Sequence, residues 1–281
     1  MFKKRLNRTN TGYNKLAVVI LVLLIIWSLF PVYWMLNTSL KSSSEIYSMT
    51  PTLFPKKVQF DAYYELIFKD KFLKSVLNST IVAVVVTTVS IIISCFAAFA
   101  FARVPFRGRK IWNTGILYAY LMPRSILFIP LYVLVTRLGL NNTLWGLMVM
   151  YPTFTIPYCV WMLTSYFKSI PKELEEAAEI DGCTKVQSMF KIVFPLASPG
   201  IAATAIFSFT LCWSEYQYAL VSITKSNLQT ITLALSDMIV ADVYAWGPLM
   251  AGSLVATLPV LIMYTAMSKY LVSGLTVGAV K

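Results

Sequence analysis

Long, almost uncharged apolar runs alternate with short polar stretches along the chain, and that alternation predicts an all-α membrane protein. The runs are Leu16 to Leu40, Ser75 to Ala102, Ile111 to Thr136, Leu144 to Phe167, Ile201 to about Val221 and about Pro248 to Met267. Each reaches or approaches the length of about 20 residues that a helix needs to cross a bilayer. The fold class expected is therefore polytopic, with six transmembrane helices at about 16–40, 75–102, 111–136, 144–167, 201–221 and 248–267. Residues 1–15 would be a tail, 16–281 one membrane domain, and 168–199 its longest polar loop on the tail side. Pro152 and Pro157 predict a kink or local unwinding in the fourth span. The tail of the second, Phe96-Ala97-Ala98-Phe99-Ala100-Phe101-Ala102, has the small residues that allow helices to approach closely.

Basic residues set the topology. Lys3, Lys4, Arg5, Arg8 and Lys15 precede the first run, which exceeds a signal-peptide core and has no evident small-residue cleavage site. It reads as an uncleaved first span with a cytoplasmic N-terminus. Arg103, Arg107, Arg109 and Lys110 mark the next cytoplasmic turn. The loop from Lys41 to Lys74 falls outside, although its six lysines run against the positive-inside rule. A brief outer turn spans 137–143 and a longer outer loop spans 222–246. Six spans then leave both termini cytoplasmic.

Within 168–199 the pattern changes to that of two short amphipathic helices. Pro171 suits the first position of a helix, and Glu173, Glu175 and Glu176 complement its dipole. Leu174, Ala177 and Ala178 form a narrow apolar stripe, and Gly182 ends the helix. Val186, Met189, Phe190 and Val193 repeat the spacing on a second helix, which Pro195 should interrupt. On spacing alone this is a helix-turn-helix elbow, equally readable as a solvated amphipathic hairpin.

Composition narrows the chemistry. With 58% hydrophobic and 13% charged residues the chain is too apolar for a soluble domain. The net charge of +12 is scattered between spans, so it reflects membrane asymmetry and not a nucleic-acid surface. Four dispersed cysteines give neither a disulfide framework nor a metal-ligand spacing. The complete lack of histidine removes histidine-dependent catalysis and HExxH zinc sites. An intramembrane transferase is disfavoured further by the want of paired carboxylates within spans. A secondary carrier would need coupling-ion residues, and Arg124 is the only clear mid-span charge.

The order Glu176-Ala177-Ala178, Asp181-Gly182, Ile192 and Phe194-Pro195 resembles the EAA loop of the membrane subunits of ATP-binding-cassette importers. Met122-Pro123, Ile129-Pro130-Leu131-Tyr132, Trp213-Ser214-Glu215-Tyr216, Leu258-Pro259 and the closing Gly274-Leu275-Thr276-Val277-Gly278-Ala279-Val280-Lys281 are similar to the maltose-type carbohydrate group, and to its second membrane subunit. The resemblance implies a type I importer fold in a bacterial or archaeal cytoplasmic membrane. It implies Glu176, Ala177, Ala178, Asp181, Gly182 and Pro195 as residues coupling the chain to an ATPase. It also implies a homologous second permease, two ATPase subunits holding ATP and Mg, an extracytoplasmic solute-binding protein, and a sugar or oligosaccharide as cargo. The chain itself would be non-catalytic and bind no cofactor, since it has no Walker A loop. In that family the loop between spans five and six reaches into the binding protein. An importer of the same type for another solute, or a secondary carrier, is the alternative.

The candidates for the solute pathway are Arg124, Trp213, Glu215, Tyr216 and Tyr218. An ionised side chain within a span faces a cavity or a partner. Arg124 thus has two readings, contact with an acidic sugar or an ion pair with Glu215 or the second permease. The aromatic residues would stack on sugar rings or form an interfacial belt with Glu215 as an outer polar anchor.

Overall fold

The computed structural model describes residues 11–69, 72–240 and 243–278. Lys3, Lys4, Arg5, Arg8, Asp70, Lys71, Asp242 and the closing Ala279-Val280-Lys281 lie outside the described residues. The helices in chain order are α1 (Thr11–Ser39), α2 (Ser43–Ile46), α3 (Asp61–Tyr64), α4 (Phe72–Arg103), α5 (Arg109–Leu121), α6 (Arg124–Arg137), α7 (Leu144–Met150) and α8 (Pro152–Ser169). They continue as α9 (Glu173–Ile180), α10 (Lys185–Ser188), α11 (Phe194–Leu196), α12 (Ser198–Trp213), α13 (Gln217–Ser222), α14 (Ile231–Ser236) and α15 (Trp246–Gly278). Two-residue strands β1 (Ile239–Val240) and β2 (Val243–Tyr244) pair antiparallel, with Ile239 opposite Tyr244. Four helical stretches are long and apolar enough to cross a membrane as they stand, Lys15–Ser39, Phe72–Arg103, Leu144–Ser169 and Trp246–Ser268. Two bent pairs bring the spans to as many as six, where each pair counts as one broken span.

The chain divides into two compact units, residues 1–70 with 238–255, and residues 71–237 with 256–281. In the first, α1 is apolar on every side and exposed through Leu16 to Phe30, burying only Asn37, Thr38 and Ser39 in its last turn. A helix hydrophobic all round belongs in lipid or against another membrane helix. Beyond it, the Asn37 amide and the Lys41 ammonium both donate to the Thr52 carbonyl, at 3.2 and 2.5 Å, and Lys41 lies 5.2 Å from the Trp34 ring centre. One of the lysines that run against the expected placement of this loop thus has an internal role. The Thr52 hydroxyl and then the Lys56 amide donate to Glu45, holding its carboxyl below the usual range.

In the second unit α4 packs along α8 and α12. Cys95, Ala98, Phe99 and Ala102 of α4 meet Leu163, Phe167 and Ile170 at the end of α8, and Met189, Val193 and Ala197 beyond it. Ser90 and Thr155 hydroxyls share a buried hydrogen bond of 2.7 Å across the α4–α8 seam. The small residues permit the approach, and the hydroxyls hold it.

Two expected spans prove discontinuous. Residues 111–136 are not one helix: α5 and α6 meet at 96° across Met122-Pro123. Met122 is extended (φ −64°, ψ 134°), the conformation that a following proline enforces. The expected 201–221 helix stops at Trp213, with α13 separate, and α12 is bent 72° from the preceding 185–196 segment. In the fourth span Pro152 opens α8 and marks the junction with α7, as the proline pattern anticipates.

Gly146 is the tightest helical approach to backbone in this unit: a Cβ there would lie 2.6 Å from the Leu140 carbonyl oxygen and 3.0 Å from a Val135 methyl. A backbone atom cannot step aside. Gly146→Ala should destabilise the chain by about 1–3 kcal/mol, whereas Gly115→Ala, with open space around it, should not. Thermal denaturation of the two detergent-solubilised variants checks this; equal melting would contradict the packing.

Candidate coupling elbow and solute pathway

The elbow begins where α8 ends. The Lys172 carbonyl accepts from the Glu175 and Glu176 amides at 2.9 and 3.0 Å, opening α9. Its end is closed by Gly182 at φ +88°: the Gly182 amide donates to Glu179 and the Cys183 amide to Ala178, at 3.1 and 2.9 Å. Only glycine holds that left-handed position without strain, and the two bonds satisfy carbonyls that a helix end would leave open. Thr184 and Gln187 then form a reciprocal capping box that starts α10.

Two expectations need correction here. Pro195 does not interrupt the second helix: a wide π turn over Met189–Val193 carries the chain into α11 through Pro195, with the Phe194 amide donating to the Met189 carbonyl. The wider turn accommodates the proline ring and its missing donor, and the break comes at Ala197. The stripe Leu174, Ala177 and Ala178 is also divided. Ala178 and Glu175 face inward, while Leu174, Glu176, Ala177 and Ile180 are exposed, Ile180 by 87%. Val186 and Phe190 are exposed too, although Phe190 lies beside Phe96 of α4 with ring centres 6.1 Å apart. Glu175 pairs inward with Arg103, a contact that the elbow's own spacing gave no sign of.

Met189 and Val193 anchor the elbow to α4 and α8, and Phe194 stacks on Phe167 with ring centres 5.8 Å apart. Gly200, just past the elbow, lies against the Tyr166 ring, which leaves no room for a side chain.

At the opposite reach of the unit, the candidate pathway residues separate by burial. Trp213 is buried, stacked on Phe209, and its indole N–H donates to the Ala256 carbonyl at 3.1 Å. Tyr218 is 1% exposed, and its hydroxyl donates to the Arg124 carbonyl at 3.1 Å. Neither forms part of an interfacial belt. Glu215 is equally buried, so it is not an outer anchor: it accepts from the Tyr151 hydroxyl at 3.0 Å and from the Tyr218 and Ala219 amides at 3.0 and 3.2 Å. It caps α13 from within. Tyr216 is partly exposed, with its hydroxyl 3.0 Å from Ser236.

Arg124 starts α6 at the bend, half-buried, with its guanidinium carbon 4.7 Å from the Phe154 ring centre. It makes no ion pair with Glu215, whose partners are those just named.

The loop after span five is less free than its sequence implies. Asn78 donates to the Asn227 and Gln229 carbonyls at 3.2 and 3.0 Å, and Ser79 accepts from the Ile231 amide at 2.7 Å. The Asn142 carboxamide, at a residue with φ +57°, joins the 137–143 turn to Thr224 and Lys225. These stitches were missed by sequence reasoning; the only signal was polar Asn78-Ser79 at the start of an apolar run.

The model of the family described as "Binding-protein-dependent transport system inner membrane component" matches residues 90–277, from the α4 seam through the elbow to the last helix. The chain belongs to that family. It is thus a multi-pass membrane protein and a permease subunit of a binding-protein-dependent ABC importer. Among its relatives is the inner membrane ABC transporter permease protein YcjP of Escherichia coli, 36% identical over 267 residues, covering 93% of this chain and 94% of that one. The diacetylchitobiose uptake system permease protein DasC of Streptomyces coelicolor is 35% identical over 260 residues, 92% and 94% of the two chains. The trehalose/maltose transport system permease protein MalG of Thermococcus litoralis is 32% identical over 280 residues, 95% and 96% of the two. In fold, the permease resembles a chain of a bacterial ABC transporter involved in alginate import, with TM-score 0.77 at 23% identity over 94% of this chain and 98% of that one. It also resembles a chain of the MetNI methionine ABC transporter, TM-score 0.60 at 14% identity, 77% and 99% covered. The permease has the all-α, six-span type I importer fold.

Losing the Glu215 carboxylate would leave two amides and a tyrosine hydroxyl without their buried acceptor. Glu215→Ala should cost about 3 kcal/mol and Tyr151→Phe about 1 kcal/mol, read by denaturation of the solubilised permease. A fully stable Glu215→Ala variant would contradict the cap.

Proposed function

We propose that this permease carries a sugar or oligosaccharide and receives the ATP-driven stroke through its 168–199 elbow. The observation that carries the coupling role is the outward face of α9, where Leu174, Glu176, Ala177 and Ile180 stand exposed on a helix fixed from behind. Exposed apolar groups beside carboxylates fit a soluble partner with an apolar groove and a basic rim. Ala177 and Gly182 keep the surface low, so that a partner backbone can approach. Relatives named for diacetylchitobiose and for trehalose and maltose support the cargo class.

In this reading two ATPase subunits hold ATP and Mg, a second homologous permease completes the solute path, and an extracytoplasmic binding protein delivers the solute. The permease performs no catalysis and holds no cofactor of its own. Its N- and C-termini and its elbow lie on the cytoplasmic side, where Arg103, Arg107, Arg109 and Lys110 cluster. Asp181 and Pro195 shape the elbow's two limbs. Arg124 and Tyr216, the more exposed of the candidates, face the solute, while Trp213, Glu215 and Tyr218 hold the wall behind them.

Gly182→Val has space for its side chain but not for its φ of +88°. It should leave the permease inserted and assembled while uptake falls about tenfold or more relative to ATP hydrolysis, measured in proteoliposomes. Normal transport by that variant would remove the docking role. For Arg124, the Ala variant should reduce binding-protein-dependent uptake more than the Lys variant does, since lysine keeps the charge. Unchanged uptake of both neutral and acidic sugars by Arg124→Ala would take it off the path.

A further inference from the structure

Arg103 and Glu175 join three elements that a docking surface alone does not require to be joined. Arg103 is the last residue of α4, Ile170 closes α8, and Glu175 lies in the first turn of α9. The Arg103 Nε donates to Glu175 Oε1, and its Nη2 donates to the Ile170 carbonyl 2.8 Å away. The two side chains are 8% and 12% exposed. Removing one member of such a buried pair leaves the other charge without compensation, so the inward position of Glu175 depends on Arg103. The guanidinium also sits where α4 and α8 end, and a cation is favoured at helix C-termini.

The next residue behaves oppositely. Glu176 is exposed on the outer side of α9, as the turn of about 100° between successive helical residues dictates. Two adjacent glutamates therefore face different partners, one inside the chain and one outside.

We infer that Arg103 and Glu175 are positioning residues for coupling: they clamp α9 to the ends of α4 and α8, so that a displacement of the elbow reaches the membrane helices without slack. The inference rests on the proposal that the elbow receives the ATPase. The clamp complements the apolar attachment of the second limb, where Met189 and Val193 hold to the same ends of α4 and α8. With both limbs fixed, the elbow moves with the bundle and does not hinge upon it.

The test uses the whole importer, with its second permease, ATPase and binding protein, in proteoliposomes, recording ATP hydrolysed and solute accumulated. Arg103→Ala and Glu175→Gln should keep hydrolysis while solute carried per ATP falls about tenfold. The reversed pair, Arg103→Glu with Glu175→Arg, should recover part of that ratio. An unchanged ratio in single variants that insert and assemble would overturn the clamp. Should the single variants fail to insert, spin labels on the native Cys183 and on Val104→Cys decide the matter in a chain with the pair intact. Their separation should stay the same with and without ATP, and a change above about 3 Å, the scale of helix shifts in switching, would overturn the inference. Absence of any ATP-dependent uptake by the wild-type complex would instead strike the proposed function, leaving the distance measurement to judge the clamp separately.

Discussion

Close approach of α4 to the end of α8 governs the second unit, because lipid supplies no hydrophobic drive for helices to associate. Their attraction has to come from short-range packing and buried hydrogen bonds. Ala98 and Ala102 let α4 come near enough for Leu163 and Phe167 to fill the space between, and the Ser90–Thr155 bond fixes the register. Everything at the elbow inherits its position from this seam. Phe167 supports Phe194, Ile170 receives Arg103, and Met189 and Val193 rest on the same cluster. A larger residue at Ala98 would push apart all of these at once.

Proline is used differently at each break. At Pro123 the preceding residue is forced extended and the span turns sharply; at Pro152 the helix merely restarts; at Pro195 a π turn absorbs it. Breaks inside a membrane expose backbone groups that water cannot satisfy, so side chains must do so. Glu215 does this for the first amides of α13, while the Tyr218 hydroxyl adds a bond to the Arg124 carbonyl at the start of α6. Glu215 therefore first serves the broken backbone, whereas Trp213 and Tyr218, which read as surface groups from their place near a span end, are buried where they donate across to carbonyls of α15 and α6.

The elements legible in the sequence were those with a local cause. Gly182 had to end a helix, Glu173 to Glu176 had to begin one, and the apolar runs had to form spans. What escaped was set by partners far apart in the chain. Nothing in the 171–182 spacing reveals that Glu175 will pair inward with Arg103 while Leu174 and Ala177 lie outside. Nor does an Asn78-Ser79 pair announce that it will hold residues 227–231. The bend at Met122-Pro123 was readable in principle, but the length of the run 111–136 outweighed the proline in a pattern that counts apolar residues.

Several surfaces of this chain remain unmatched within it, and their chemistry differs. α1 shows apolar side chains all round, the elbow shows apolar groups beside carboxylates, and Arg124 holds its half-buried guanidinium above Phe154. Lipid or a membrane helix satisfies the first, but neither satisfies the other two. In the proposed reading, a soluble partner covers exposed Ile180 and Glu176, and a polar or anionic group brought into the membrane meets the half-buried guanidinium. A subunit with such distinct open surfaces gains stability from each partner that covers one, by mass action. Assembly and fold are then linked, and in the proposed reading the elbow, fixed by charge on one limb and by apolar packing on the other, is where a soluble partner acts on the membrane helices.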